Sequence, residues 1–193
     1  ISSIGFKKFV WFISLGYGFS IAGIGVALLI MFAKNLTPVT AIMAVMLIIY
    51  GCRLGGDLRR REKKSASYQR TRKNDIKDGS NMKLFPKLCV WLSCALLYVL
   101  EASPIFFRLN GGKKDNGCAI AGMIIMILGI ILESAADLTK NSFKKKNPKR
   151  FCDVGLFKIV RCPNYLGEVF TWTGVFISGI TAYKNALEWI CAI

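Results

Sequence analysis

Four carboxylates interrupt runs that are otherwise apolar: Glu101, Glu133, Asp137 and Glu168. An ionisable side chain inside such a run is costly, so it lines a protein interior or a wet cavity instead of facing hydrocarbon. Glu133 and Asp137 stand four apart and therefore share one helix face, and Tyr98 and Glu101, three apart, do the same. Solvation at a membrane boundary is the competing reading for Glu101, Glu133 and Asp137. The densest constellation runs from Asp153 to Glu168 and holds Gly155, Arg161, Pro163, Asn164, Tyr165 and Gly167 between them. Gly155 permits a turn with positive φ, and Pro163 can open a helix without losing a needed donor. A guanidinium, an amide, a phenol and a carboxylate at this spacing can hold a phosphate and a polar ring. The same residues also suit a plain helix start, with Asn164 as cap, Glu168 near the positive end of the helix dipole and Tyr165 as an interfacial anchor.

Long apolar runs must position these groups. The chain has 193 residues, 53% of them hydrophobic, yet 27 Lys and Arg outnumber 11 Asp and Glu. The charges are segregated into short basic stretches between the apolar runs, which excludes an ordinary soluble globule and a soluble nucleic-acid-binding fold. There is no histidine, so imidazole catalysis and histidine-containing metal sites are excluded, and no metal site is expected. The seven cysteines form no C-x-x-C pair and read as small hydrophobes. Expected spans run over about 9–33, 37–52, 84–107, 118–136 and 166–183, with 186–193 opening a further apolar segment. An N-terminus on the cytoplasmic side places 22 of the 27 basic residues in cytoplasmic segments, as the positive-inside rule requires. The expectation is an all-α, polytopic membrane helical bundle of about five transmembrane helices, one domain over 1–193, with a basic cytoplasmic loop at 53–83. Those basic segments can meet anionic head groups, collect an anionic cofactor, or do both.

The run Asp153-x-Gly155-Leu156 followed by Arg161-x-Pro163-Asn164-Tyr165-x-Gly167-Glu168 resembles the C-terminal signature of the steroid 5α-reductase-like membrane oxidoreductases, in their uncharacterised DUF1295 branch. Upstream, Glu133-x-x-Ala136-Asp137 with Phe143-Lys144, and Tyr50-x-x-Arg53-Leu54 with Arg61, are similar to two further motifs of that branch, and 133–175 forms the signature region. The resemblance implies a helical membrane reductase that takes hydride from NADPH on its cytoplasmic side and delivers it to the activated double bond of a lipid-soluble substrate, an enone of steroid, sterol or isoprenoid type. It implies an integral membrane location, in the endoplasmic reticulum of a eukaryotic cell, with the bilayer and a lipid-soluble small molecule as partners. It carries Glu133, Asp137, Arg161, Asn164, Tyr165 and Glu168 over as cofactor-binding residues. Such a reduction also needs an acid at the carbonyl oxygen, and Tyr98 with Glu101 is the candidate pair by chemistry.

Three departures stand out: Cys162 replaces the motif histidine, Phe157 the motif tryptophan and Lys140 the motif glutamine. Cysteine cannot reproduce the two ring nitrogens of an imidazole. The chain also begins without Met and stops before the final helices of that branch, so a family core lacking its ends is expected. Two alternatives stay open beside the reductase. One is an S-adenosylmethionine enzyme like the isoprenylcysteine carboxyl methyltransferases, which share the R-x-P-x-Y-x-G core; the other is a non-catalytic membrane relative.

Overall fold

Backbone inside a bilayer has no water to bond to, and a helix is the element that closes its hydrogen bonds within one segment. A computed structural model describes residues 2–6, 10–13, 15–64 and 83–192, and all its regular elements are helical. They are α1 (Val10–Ile13), α2 (Leu15–Met31), α3 (Pro38–Lys64), α4 (Leu84–Asn110), α5 (Gly117–Lys146), α6 (Pro163–Gly179) and α7 (Ala186–Ala192), with single 3-10 turns at Ser2–Phe6 and Gly155–Lys158. Helices α3, α4 and α5 are long and apolar enough to cross a membrane, and α2 is a shorter apolar helix. The chain is thus an all-α, polytopic membrane helical bundle.

The helix bounds differ from the sequence reading in several places: α5 runs to Lys146, well beyond the expected 118–136, α4 runs to Asn110, and α6 ends at Gly179, short of 183. The second span does not stop at Cys52: α3 continues through Arg53 to Lys64, because Arg, Leu, Lys and Glu sustain a helix after the apolar run has ended. Of the expected basic loop, 53–64 is therefore helix, and 65–82 lies outside the described residues. Helix α6 starts at Pro163, as the proline suggests, but its N-cap is Cys162 with no side-chain cap bond, so Asn164 is not the cap. Gly155 does adopt the positive φ expected of it, at 58°.

The bundle is built from two antiparallel helix pairs, α2 with α3 and α5 with α6, joined by backbone contact at glycines. A Cβ placed on Gly129 of α5 would stand 2.5 Å from the Thr171 amide of α6, and one on Gly18 of α2 would stand 2.6 Å from the Gly55 amide of α3. Helices in lipid associate through such small residues, because hydrocarbon outside removes the hydrophobic drive for them to pair. Polarity is arranged accordingly. Ile120, Ile124, Leu128, Ile131 and Leu138 form an exposed stripe on α5, while Arg108, Glu133, Asp137, Thr171 and Ser178 are buried.

One end of the bundle is clasped by hydrogen bonds. Arg108, fully buried near the end of α4, donates through Nη1 to the Ser178 carbonyl (3.0 Å) and Thr181 Oγ1 (3.2 Å), and through Nη2 to the Lys114 carbonyl (2.6 Å). Asp115 accepts from Thr37 Oγ1 (2.6 Å) and from the Val39 amide (3.2 Å), tying the α4–α5 connection to the first turn of α3. The opposite end carries the end of α3, the end of α5 and the start of α6, and there the sequence signature gathers.

Candidate active site

Arg53 leaves α3 one turn after Tyr50 and reaches the inward face of α5. Its Nη2 lies 2.5 Å from Glu133 Oε1 and its Nη1 3.3 Å from Asp137 Oδ2. The four-residue spacing of the two acids is what lets one guanidinium meet both. Both carboxylates are buried, and α6 crosses at Gly167 so closely that a Cβ there would stand 2.7 Å from the Glu133 Cβ. That crossing sets Glu168, the next residue, beside the same node.

A second cluster continues inward from the first. The guanidinium of Arg53 sits 5.7 Å from the centre of the Tyr50 ring, which packs edge-on against Trp172 at 5.8 Å. Trp172 Nε1 donates to the Tyr17 hydroxyl at 3.1 Å. The Tyr17 phenol in turn faces Tyr50, Glu101 and Glu168, so α2, α3 and α4 each contribute one polar group and α6 contributes two, Glu168 and Trp172. Tyr98 stacks at 5.2 Å on Tyr17, while its own hydroxyl donates to the Phe12 carbonyl.

Four buried polar atoms in this region have no hydrogen-bond partner: Arg53 Nε, Glu133 Oε2, Tyr50 Oη and Asn164 Oδ1, with Glu101 Oε2 a fifth nearer the centre of α4. Leaving a buried polar atom unpaired costs about 1–3 kcal/mol. Such a concentration at one end is what a site for a ligand rich in donors and acceptors looks like. Beside it, α4, α6 and α7 line a half-open cavity of about 570 Å³ whose wall includes Glu101, Glu168, Tyr165, Trp172, Phe176 and Cys191. Ser103 Oγ donates to the Cys191 carbonyl at 3.2 Å and holds α7 against α4.

The structure thus brings Glu133 and Asp137 together on Arg53, and brings Glu101 and Glu168 together at Tyr17. Tyr165 is exposed at the cavity wall, Asn164 is half-buried in the first turn of α6, and Arg161 is exposed just ahead of that turn. Tyr98 is buried behind Tyr17 and is not part of the cavity wall. Cys162, at the motif-histidine position, is half-buried at the α6 N-cap. Sequence reasoning did not single out Tyr17 or Trp172, and Tyr50 and Arg53 entered it as motif positions without a role in the site. The one signal available for Tyr17 was a phenol in an otherwise apolar, glycine-rich run.

A helical bundle with apolar faces outside, paired charges within its helices and a cavity beside them defines a polytopic membrane protein with an internal polar site. The chain belongs to the family described as Protein of unknown function (DUF1295), whose profile matches residues 5–193. It is also similar to two proteins named steroid 5-alpha-reductase DET2, from Arabidopsis thaliana and Gossypium hirsutum, each 35% identical over 57 residues. That stretch is 28% of this chain and 22% of each reductase, so the likeness spans less than a quarter of those relatives. No solved structure matches.

Proposed function

We propose that this protein is a membrane-embedded, NADPH-dependent reductase of the activated double bond of a lipid-soluble enone, with five spans, a cytoplasmic N-terminus and the Arg53 end of the bundle facing the cytoplasm. Family membership, the likeness to steroid 5-alpha-reductases and the position of the basic residues support the reading. The single observation that carries it is the meeting of Tyr17, Glu101 and Glu168, from three helices, beside a cavity with a mostly apolar wall.

The unpartnered atoms of Arg53, Glu133 and Asn164 fit a cofactor that offers hydroxyl and amide groups. Glu133, Asp137, Asn164, Tyr165 and Glu168 hold those groups, and Arg161 holds phosphate, for which a guanidinium fork is suited. When bound, NADPH supplies the hydride. The protein's own part is to stabilise charge on the substrate carbonyl. Trp172 fills an acceptor position on the Tyr17 oxygen, which leaves the phenol proton for Glu101 and Glu168, and those two carboxyls stand in the cavity wall. Glu101 shares that proton, and Tyr98 supports the pair through its ring contact with Tyr17 instead of through its hydroxyl. A donor placed where the enolate oxygen forms contributes to rate because it needs no reorganisation during reaction.

Purified protein in detergent tests the cofactor assignment by thermal shift, since stabilisation grows with ligand concentration over its dissociation constant. The expected result is a shift with NADPH that is lost in Asn164→Ala and in Glu168→Ala. A shift with S-adenosylmethionine alone, or with neither compound, contradicts the proposal.

A further inference from the structure

The connection between α5 and α6 has an unusual outer surface. One side of it is pinned: Cys152 and Phe157 bury against Ala136 of α5, with Phe143, Val154 and Leu156 around them. Lys144 Nζ donates to the Arg150 carbonyl at 2.7 Å, and Arg150 pairs with Asp153 at 2.5 Å. The backbone is therefore held in place, and the residues not used inward are left standing outside. Ile159 is 82% exposed and Phe151 59% exposed, and interspersed with them Lys149, Lys158 and Arg161 are exposed as well. This segment is not a span, and nothing among the described residues covers these apolar side chains.

We propose that the outer surface of 149–161 is a docking site for anionic phospholipid, with Lys149 and Lys158 on the head-group phosphate and Ile159 and Phe151 inserted at the acyl boundary. Apolar tips between cations are the composition of an interfacial membrane contact, where buried apolar area and attraction to anionic lipid add. The exposed apolar residues decide between a lipid and a soluble phosphate compound. An aqueous phosphate group accounts for the cations but leaves Ile159 in water. The segment also leads directly into α6, four residues after Ile159, so it lies where that helix meets the membrane surface. The proposal is independent of the reductase assignment and leaves Arg161 to the cofactor.

The test uses the full chain in neutral detergent, titrated with phosphatidylglycerol, with phosphatidylcholine of the same acyl chains, and with glycerophosphate. Bound lipid is counted by native mass spectrometry and melting temperature is followed in parallel. Phosphatidylglycerol is expected to bind and stabilise in preference to the other two, and each lysine removed in Lys149→Gln and Lys158→Gln is expected to weaken it about five-fold. Ile159→Ser is expected to weaken it as well, whereas Lys113→Gln with Lys114→Gln, at the clasped end, leaves it unchanged. All these side chains are exposed, and an unaltered lipid-free melting temperature verifies folding. Equal binding of phosphatidylcholine, equal stabilisation by glycerophosphate, or unchanged phosphatidylglycerol affinity in the Lys149→Gln, Lys158→Gln double variant overturns the proposal.

Discussion

Two arginines enter this bundle from opposite ends, and their partners differ. Arg108 is fully buried, and its bonds go to the backbone oxygens of Ser178 and Lys114 and to the Thr181 hydroxyl. Arg53 is partly exposed, and its bonds go to the carboxylates of Glu133 and Asp137. Carbonyl acceptors cannot change charge and stay where the helices put them, so Arg108 acts as a clasp. Carboxylates can take another partner, and those around Arg53 lie among buried atoms that still lack one. One type of side chain in one bundle thus closes an end or builds a site, according to what it bonds.

Substitutions can break this contrast, and the largest effect is expected at Arg53. Arg53→Met strands two buried carboxylates and is expected to cost about 3–5 kcal/mol of stability together with the NADPH-induced shift. Adding Glu133→Gln and Asp137→Asn should return most of the stability, read as melting temperature, but none of the shift. Arg108→Leu removes the clasp and is expected to cost about 3 kcal/mol, at about 1 kcal/mol, the low end for an unpaired acceptor, for each of its three bonds, since Thr181 keeps Asn116 as a partner. The fraction that folds should retain wild-type NADPH affinity; a loss of affinity there would erase the distinction between the two ends.

A smaller effect is expected at the α5–α6 crossing. Gly129→Ala pushes a methyl group against the Thr171 amide, and forcing atoms into such a contact costs typically about 1–3 kcal/mol. The smallest change in stability, and the sharpest in meaning, is expected from Tyr50→Phe. Its hydroxyl faces the Tyr17 phenol and makes no close hydrogen bond, so stability measured by denaturation should change by about 1 kcal/mol at most. Cofactor affinity should fall, because in this account the hydroxyl awaits a ligand.

Much of this was legible in the sequence, and the reasons are physical. Hydrocarbon demands apolar runs, so the long apolar helices α3, α4 and α5 could be read; the i, i+4 spacing of Glu133 and Asp137 put them on one face, and the structure shows them on one guanidinium. A run of hydrophobicity ends at the first charge, however, while a helix does not. That is why α3 outlasts Cys52 and why the apolar pattern alone places Arg53, central to the site, at the start of a loop. Tyr17 was illegible for a different reason. Its partners come from α3, α4 and α6, and no local periodicity links residues that meet only through packing. Asn164 fits a helix cap by type, but Pro163 opens the helix, so the cap falls on Cys162 and Asn164 lies in the first turn.

The central claim is that this bundle passes hydride to an activated double bond, with Tyr17 and Glu101 at the carbonyl. The most direct measurement supplies the protein, in nanodiscs, with NADPH deuterated at the transferable position and a lipid-soluble steroidal enone, and follows the label by mass spectrometry. The account predicts a saturated ketone carrying the label, and a rate lowered roughly 100-fold or more in Tyr17→Phe and in Glu101→Gln while the NADPH-induced thermal shift persists. Absence of label in the product, or full activity in both variants, would contradict it.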